Sequence, residues 1–217
     1  MVNVLEYSGP WPAKEHSMPR LSQVSRKDAP EDIQKIYDML FDGRDPVTDP
    51  GTATGTKGNW WTVFALVPDC FRHAVAGFAF YRSRSRELDP KLRELGQTRA
   101  GFLRESQFVF SQHCKAARLV GLSEEQIREI PTWTTSDAFS QKERSVLAYV
   151  DELVLANGRV QDRTFERLSE HLGEKEILEL TYVTALYEMH AIMSRALKLE
   201  YDDIDERITE VPGPSAE

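Results

Sequence analysis

The sequence is poor in cysteine and in long apolar runs. Only two of its 217 residues are cysteines, Cys70 and Cys114, and they form neither a CxxC motif nor a zinc-type spacing. A disulfide framework and a structural zinc site are therefore not predicted, and we expect both residues to remain thiols. Cys70 and His73 are three residues apart, which alone is too little to predict a metal site.

No apolar run approaches the roughly 20 residues that cross a bilayer, and residues 1–16 lack the basic-then-apolar layout of a signal peptide. We therefore expect a cytoplasmic protein without a membrane partner. Basic residues are also in deficit, because the formal net charge is -8. Since phosphate binding needs a concentrated excess of Lys and Arg, a nucleic-acid partner is not expected.

Strand-forming patterns are nearly absent, and the apolar residues recur at helical spacing, so the predicted fold class is all-α. The composition, 41% hydrophobic and 29% charged, is that of a globular chain with a buried core. We divide the chain into three parts. Residues 1–27 are an extended, proline-containing arm, residues 28–201 are a single all-α domain, and residues 202–217 are an acidic tail.

Capping and breaking residues predict where the helices begin and end. The first runs from Ala29–Pro30, with Asp28 as its cap, to Gly43, and the second runs from Pro68 to about Arg86. A third begins at Pro90 with Asp89 as its cap and breaks at Gly101. Further helices follow caps at Ser106, Ser123 and Ser140, and the last spans about Lys175 to Leu199. Residues 45–59 read as a long loop leading to Trp60 and Trp61.

The stretch from Glu94 to Leu122 carries the residues most suited to chemistry. On one straight helix Glu94 and His113 would be about 28 Å apart, so only a helix, a tight break and a second helix packed beside the first bring them together. Histidine exchanges protons near neutral pH, and a buried carboxylate beside it fixes its tautomer. The alternative is that His113 is a hydrogen-bonded core histidine.

Three segments of this region carry a resemblance to a known family: LDPKLREL, SQFVFSQH and ARLVGLSEEQI. Together they resemble the carboxymuconolactone decarboxylase and alkylhydroperoxidase D-like superfamily over residues 60–130, with weaker similarity to about residue 200. Glu94 matches the family's helix glutamate, His113 its histidine, and Gly121 the glycine eight residues beyond. The resemblance implies an all-α helical bundle assembled as a homo-oligomer.

Two departures from the family pattern affect the expected chemistry. Ser106 and Val109 stand where the redox branch has its two cysteines. Val109 and Phe110 stand where the decarboxylase branch has a glutamate and a tryptophan. Cys114 adjoins His113, but neighbouring helical residues point about 100° apart, so it does not replace either cysteine.

The resemblance therefore implies a lyase or isomerase that acts on a small organic acid without a cofactor. Glu94 and His113 would be its acid–base pair, and Ser106 would position groups by hydrogen bonding. We expect the apolar replacements to dry the pocket and to raise the pKa of the carboxyl group. The predicted substrate-binding residues are Trp60, Trp61, Phe64, Val109 and Phe110.

Two alternatives stay open. One is an antioxidant peroxidase of the alkylhydroperoxidase type, in which Cys114 would be the essential thiol. The other is a non-catalytic, oligomeric binding protein. A second polar stripe, formed by Glu179, Tyr182 and His190 on the last helix, faces either the pocket or an interface.

Overall fold

The computed structural model describes residues 18–52 and 56–199. The predicted acidic tail and residues 1–17 of the predicted arm lie outside this part of the chain. Within it, the secondary structure consists of helices and turns without any strand, which confirms the all-α prediction. The α-helices are α1 (Glu31–Phe41), α2 (Asn59–Phe64), α3 (Pro68–Arg82), α4 (Pro90–Leu103), α5 (Gln107–Leu119), α6 (Glu124–Glu129), α7 (Gln141–Leu155), α8 (Asp162–Ser169) and α9 (Glu174–Leu197).

Local capping residues set most of the helix starts. The Asp89 side chain accepts a hydrogen bond from the backbone N–H of Lys91, and the Ser106 hydroxyl accepts one from that of Val109. Ser123 and Ser140 form capping boxes at the starts of α6 and α7. Each side chain satisfies a backbone donor that the first helical turn leaves unpaired, as the sequence predicted.

Three predicted helix limits are wrong. The N-cap of α1 is Pro30, because Asp28 belongs to a preceding 3-10 turn, and α3 ends at Arg82 rather than near Arg86. The break between α4 and α5 lies at residues 104–106 instead of at Gly101. Gly101 instead allows a close approach of the two helices, since a Cβ atom there would lie 2.8 Å from the backbone nitrogen of Phe110.

Helix α4 lies at the centre of the bundle and packs against α5, α7 and α9. Its apolar residues enter two cores, one shared with α7, α8 and α9 and the other with α5, α6 and α7. A third core joins α1, α2 and α3 to the end of α9. The short segment before α1 lies on this third core, where Val24 N–H donates to the Thr62 carbonyl. These contacts hold α2, α3 and α9 beside the α4–α5 pair.

Candidate active site

The α4–α5 pair brings Glu94 and His113 into direct contact. The Oε2 atom of Glu94 lies 2.8 Å from Nδ1 of His113, and both side chains are buried. The turn at residues 104–106 reverses the chain, so positions 19 residues apart in sequence become neighbours. This is the arrangement that we predicted, in which a break separates two helices that pack side by side.

The other carboxylate oxygen of Glu94 has its own partners. Oε1 accepts a hydrogen bond of 2.5 Å from the hydroxyl of Tyr81. It also accepts bonds from Nε (3.0 Å) and Nη2 (2.9 Å) of Arg93. The Arg93 guanidinium lies 4.4 Å above the centre of the Tyr81 ring and donates to the Tyr81 carbonyl. The buried charge of Glu94 is thus compensated on both of its oxygens.

These partners decide the protonation of the Glu94 carboxyl group. Burial acts to raise its pKa, but the hydrogen bonds from His113 and Tyr81 and the charge of Arg93 outweigh it, so the pKa lies below the ordinary value. The prediction that dry surroundings would raise this pKa is wrong, because it did not include these donors. Glu94 is therefore an ionised acceptor, which favours the tautomer of His113 that carries its proton on Nδ1. Nε2 is then the ring nitrogen that can exchange a proton with a bound molecule.

His113 and Glu94 lie on the wall of a cavity of about 550 Å³. This volume falls in the range of about 300–1,000 Å³ that is typical of small-molecule sites. Three basic side chains, Arg82, Arg93 and Lys115, line the cavity, whereas Glu94 is the one acidic residue among the described residues that line it. The lining is thus positive although the whole chain has a net charge of -8.

Besides the polar end formed by Glu94, Arg93 and His113, the cavity has an aromatic wall, which we define as Trp60, Trp61, Phe78 and His190. The rings of Phe78 and His190 are stacked with their centres 5.1 Å apart, and Trp60 lies 5.3 Å from His190. Tyr187 joins the wall to the polar end, because its ring lies perpendicular to that of His113 at 4.2 Å. Elements α2, α3 and α9 supply these rings.

His190 differs from His113 in having no hydrogen-bond partner among the described residues. Neither of its ring nitrogens forms a hydrogen bond with the part of the chain that the structure describes. Burial lowers the pKa of His190 to about 4, and the nearby His113 contributes in the same direction. His190 is therefore a neutral ring at neutral pH.

The predicted site residues divide into two groups. Trp60, Trp61 and Val109 line the cavity together with Glu94 and His113. The others lie behind it or elsewhere: Phe64 is stacked on Trp60 at 3.8 Å, Phe110 and Cys114 are buried in the core around α5, and Ser106 caps α5. The buried thiol of Cys114 is not on the cavity wall.

The sequence reasoning missed Tyr81, Arg93 and Tyr187 as site residues. Arg93 directly precedes Glu94, so the neighbouring sequence carried a signal for Arg93, whereas Tyr81 lies on α3, 13 residues before Glu94. The residues of the predicted polar stripe of α9 lie in different environments in the structure. His190 reaches the cavity, whereas Glu179 accepts a hydrogen bond from the backbone N–H of Leu88 and Tyr182 is half exposed.

Within residues 18–52 and 56–199, no group of three or more His, Cys, Asp or Glu side chains is placed to hold a metal ion. In the same part of the chain, no helix has the length and apolar character that a membrane crossing needs.

Comparison with known proteins identifies relatives of this site and fold. Residues 71–152 match the profile of the carboxymuconolactone decarboxylase family, a range that includes Tyr81, Glu94 and His113. The uncharacterized protein YnjA of Escherichia coli (strain K12) is 28% identical over 142 residues, which cover 64% of this chain and 75% of that protein. The uncharacterized protein YdfG of Bacillus subtilis (strain 168) is 27% identical over 92 residues, 42% of this chain. This match spans 63% of YdfG, less than two thirds of its length.

A solved structure shares the fold over most of both chains. It is a protein of Ralstonia eutropha JMP134, described as an alkylhydroperoxidase AhpD core and an uncharacterized peroxidase-related protein. The TM-score is 0.69 at 17% identity, and the match covers 86% of this chain and 94% of that one. At this identity the likeness establishes the helical architecture.

Proposed function

We propose that this chain, which belongs to the carboxymuconolactone decarboxylase and AhpD-like superfamily, is a cofactor-free lyase or isomerase that acts on a small organic acid. The observation that carries the proposal is the buried hydrogen bond between Glu94 and His113 at the wall of a cavity. His113 is the proposed proton carrier, and Glu94 is the carboxylate that orients it. Tyr81 and Arg93 keep that carboxylate ionised.

The proposed chemistry begins at Nε2 of His113. As a base, Nε2 takes a proton from carbon, and the resulting imidazolium ion is stabilised by the carboxylate that already accepts its Nδ1 proton. In an isomerisation the same proton returns to a second carbon of the substrate. In a decarboxylation the bond to the carboxylate breaks, CO2 leaves with the electron pair remaining on carbon, and protonated His113 donates its proton to that carbanion. Solvent then restores the proton of His113.

The charge of the cavity supports an acid as the substrate. Among the described residues that line the cavity, Arg82, Arg93 and Lys115 outnumber the carboxylate of Glu94, so this lining attracts anions. Decarboxylation also requires a substrate that carries a carboxylate group. The residues that line the cavity are thus consistent both with proton transfer by His113 and with an acid as the substrate.

The two alternatives have less support. The antioxidant peroxidase alternative depends on Cys114 as its thiol, and Cys114 is fully buried outside the cavity lining. A purely structural binding protein would not need a compensated carboxylate–imidazole pair facing a cavity, because burying such a pair costs free energy.

The predicted homo-oligomer and cytoplasmic location also remain proposals. Leu178, Tyr182, Met189 and Ile192 recur at helical spacing on α9 and are exposed in the single chain. An apolar stripe of this kind supports association of copies through α9. Sedimentation of the wild type and of Ile192→Asp would test it, since the charge should shift an oligomer toward the monomer.

The activity can be tested with a panel of β-keto acids, unsaturated acids, lactone acids and one-ring aromatic acids in D2O. We expect at least one acid to lose CO2 or to gain deuterium on carbon, as measured by NMR. His113→Gln should lower that rate by about 10²–10⁴-fold, the usual contribution of acid–base catalysis. His171→Gln, which changes an exposed histidine, is the matched control and should keep the wild-type rate.

Two results would contradict the proposal. One is a wild-type protein that changes no acid of the panel, and the other is a rate that survives His113→Gln. Cys114→Ser distinguishes the proposed acid–base enzyme from the peroxidase alternative. If the proposal is correct, this variant should keep its turnover of acids. If the wild type instead consumed peroxide and this variant did not, the peroxidase alternative would be correct.

A further inference from the structure

One cation of the cavity has no partner among the described residues. Arg82, the last residue of α3, lines the cavity, and its guanidinium forms no hydrogen bond or ion pair with the described part of the chain. Arg93 is different, because its guanidinium is already bound to Glu94 and to the Tyr81 carbonyl. Arg82 is therefore the lining arginine whose charge is left for a ligand.

The same cavity contains a hydroxyl group that can donate a hydrogen bond. Tyr187 lines the cavity, and its hydroxyl has no hydrogen-bond partner among the residues that the structure describes. Burial raises the pKa of Tyr187, so its hydroxyl keeps its proton at neutral pH. A protonated phenol and a guanidinium together present the donors that the two oxygens of a carboxylate accept.

The neighbouring surface is made of flat rings. Phe78 is only partly buried and contacts Trp60 at 5.1 Å, Trp61 at 5.7 Å and Tyr187 at 6.3 Å between ring centres. His190 continues the same surface as a neutral ring stacked on Phe78. Aromatic faces and edges favour another planar ring over a puckered one of equal size, because the ring quadrupoles align.

We propose that the ligand of this cavity is a one-ring aromatic carboxylate, with its acid group bound by Arg82 and the Tyr187 hydroxyl and its ring against the aromatic wall. This inference rests on the proposed function and narrows its substrate class. Tyr187 contacts both His113 and Phe78, so a ligand bound in this way has its acid group at the same end as the proton carrier.

Binding of three probes to the full chain tests the two features separately. Benzoate has the charge and the flat ring, benzamide has the ring without the charge, and cyclohexanecarboxylate has the charge with a puckered ring. Titration calorimetry at neutral pH should give benzoate the lowest Kd. We expect about fivefold weaker binding of benzamide, from the lost ion pair. We expect about two- to tenfold weaker binding of cyclohexanecarboxylate, from the lost ring contact.

Each feature has a variant and a matched control. Arg82→Gln should abolish the preference for benzoate over benzamide and keep the preference for the flat ring. Phe78→Leu should abolish the preference for the flat ring and keep the preference for benzoate over benzamide. Arg84→Gln removes an exposed arginine two residues away, and Phe80→Leu removes a phenylalanine of the same helix that does not line the cavity, so both should keep both preferences. Circular dichroism verifies that each variant is folded.

The proposal is overturned if no probe binds saturably, if benzamide equals benzoate, or if Arg82→Gln leaves the charge preference intact. These ratios need no turnover, so they are independent of the acid–base chemistry. A protein with both preferences and no proton transfer would refute the proposed function and keep the ligand class. A protein that turns over aliphatic acids without these preferences would support the proposed function and refute the ligand class.

Discussion

Two buried histidines face the same cavity and differ in their surroundings. His113 is 3% exposed and has an ionised carboxylate on Nδ1, while His190 is 2% exposed and is surrounded by rings. The two side chains are thus equally buried but have different partners. The carboxylate of Glu94 is a counter-charge beside His113, whereas burial among rings holds the pKa of His190 at about 4.

The difference shows how one cavity can hold two functions. A proton carrier must be able to become charged, and among the described residues that line the cavity only Glu94, at the polar end, provides a counter-charge for this. The aromatic wall around His190 excludes charge and offers flat apolar surface to a ligand. The partners of a histidine, more than its burial, thus indicate whether it belongs to the chemistry or to binding.

The largest expected effect comes from removing the counter-charge. Glu94→Gln leaves Arg93 without its carboxylate and His113 without a stabilising anion. We expect the unfolding free energy to fall by about 3 kcal/mol, as for a broken buried pair, and turnover to fall by about 10²-fold. Chemical denaturation and the rate of the acid found in the panel measure these effects.

The pH dependence of this loss has a defined sign. The pKa of Glu94 is lowered in the folded state, so its stabilising effect is complete above the ordinary value of 4.5 and is lost as the pH falls through the folded value. The difference between wild type and variant should therefore shrink in acid. Asp151→Asn is the matched control, because Asp151 also accepts from an arginine, Arg99, and from an aromatic donor, Trp133. It should lose stability and keep turnover, and an equal loss of turnover in both variants would contradict the role of Glu94.

A matched pair of substitutions tests the two histidines directly. His190→Phe removes two nitrogens that have no partner in the described structure, so we expect it to be about 1 kcal/mol more stable than wild type at neutral pH. His113→Phe leaves Glu94 with an unpaired oxygen and should be about 3 kcal/mol less stable. Thermal and denaturant unfolding at the same pH compare the two variants, and equal changes in both would remove the distinction between the two sites.

Acid should enlarge the advantage of His190→Phe. The pKa of His190 is depressed in the folded state, so between its ordinary value of 6.5 and about 4 the unfolded chain binds the proton and the folded chain does not. Wild-type stability therefore falls as the pH drops through this window, by about 2 kcal/mol at about pH 5 for a group with such a shift. The variant should lack this part of the acid sensitivity.

The sequence allowed prediction of features that depend on local chemistry. Asp89, Ser106 and Ser140 cap helices because a short polar side chain reaches a backbone N–H two or three residues ahead, which nearby residues alone determine. The contact between Glu94 and His113 could also be predicted from their spacing, once a break between two helices was assumed. The position of that break could not be predicted, because Gly101 allows a close contact with Phe110 and does not form a turn.

Features built from distant segments could not be derived in this way. The aromatic wall combines rings from α2, α3 and α9, and no periodicity states that these helices meet beside α4 and α5. Tyr187 illustrates the difficulty, because on α9 it resembles any core aromatic until its contact with His113 is known. Ser106 shows the reverse case, since family position suggested a site residue and its side chain caps a helix.

The smallest expected effect concerns the hydroxyl that Tyr81 donates to Glu94. Tyr81→Phe removes one of the donors to Oε1 and leaves Arg93 and His113 in place, so the carboxylate stays ionised. We expect a loss of about 1.5 kcal/mol in stability, as for a hydrogen bond to a charged group, and a fall in turnover of less than about tenfold. Tyr149→Phe is the control, since its hydroxyl pairs with the neutral Thr181 outside the cavity and its loss should leave turnover unchanged. A loss of turnover as large as that of Glu94→Gln would instead make Tyr81 a direct participant in proton transfer, and the polar end would then contain two proton carriers rather than one.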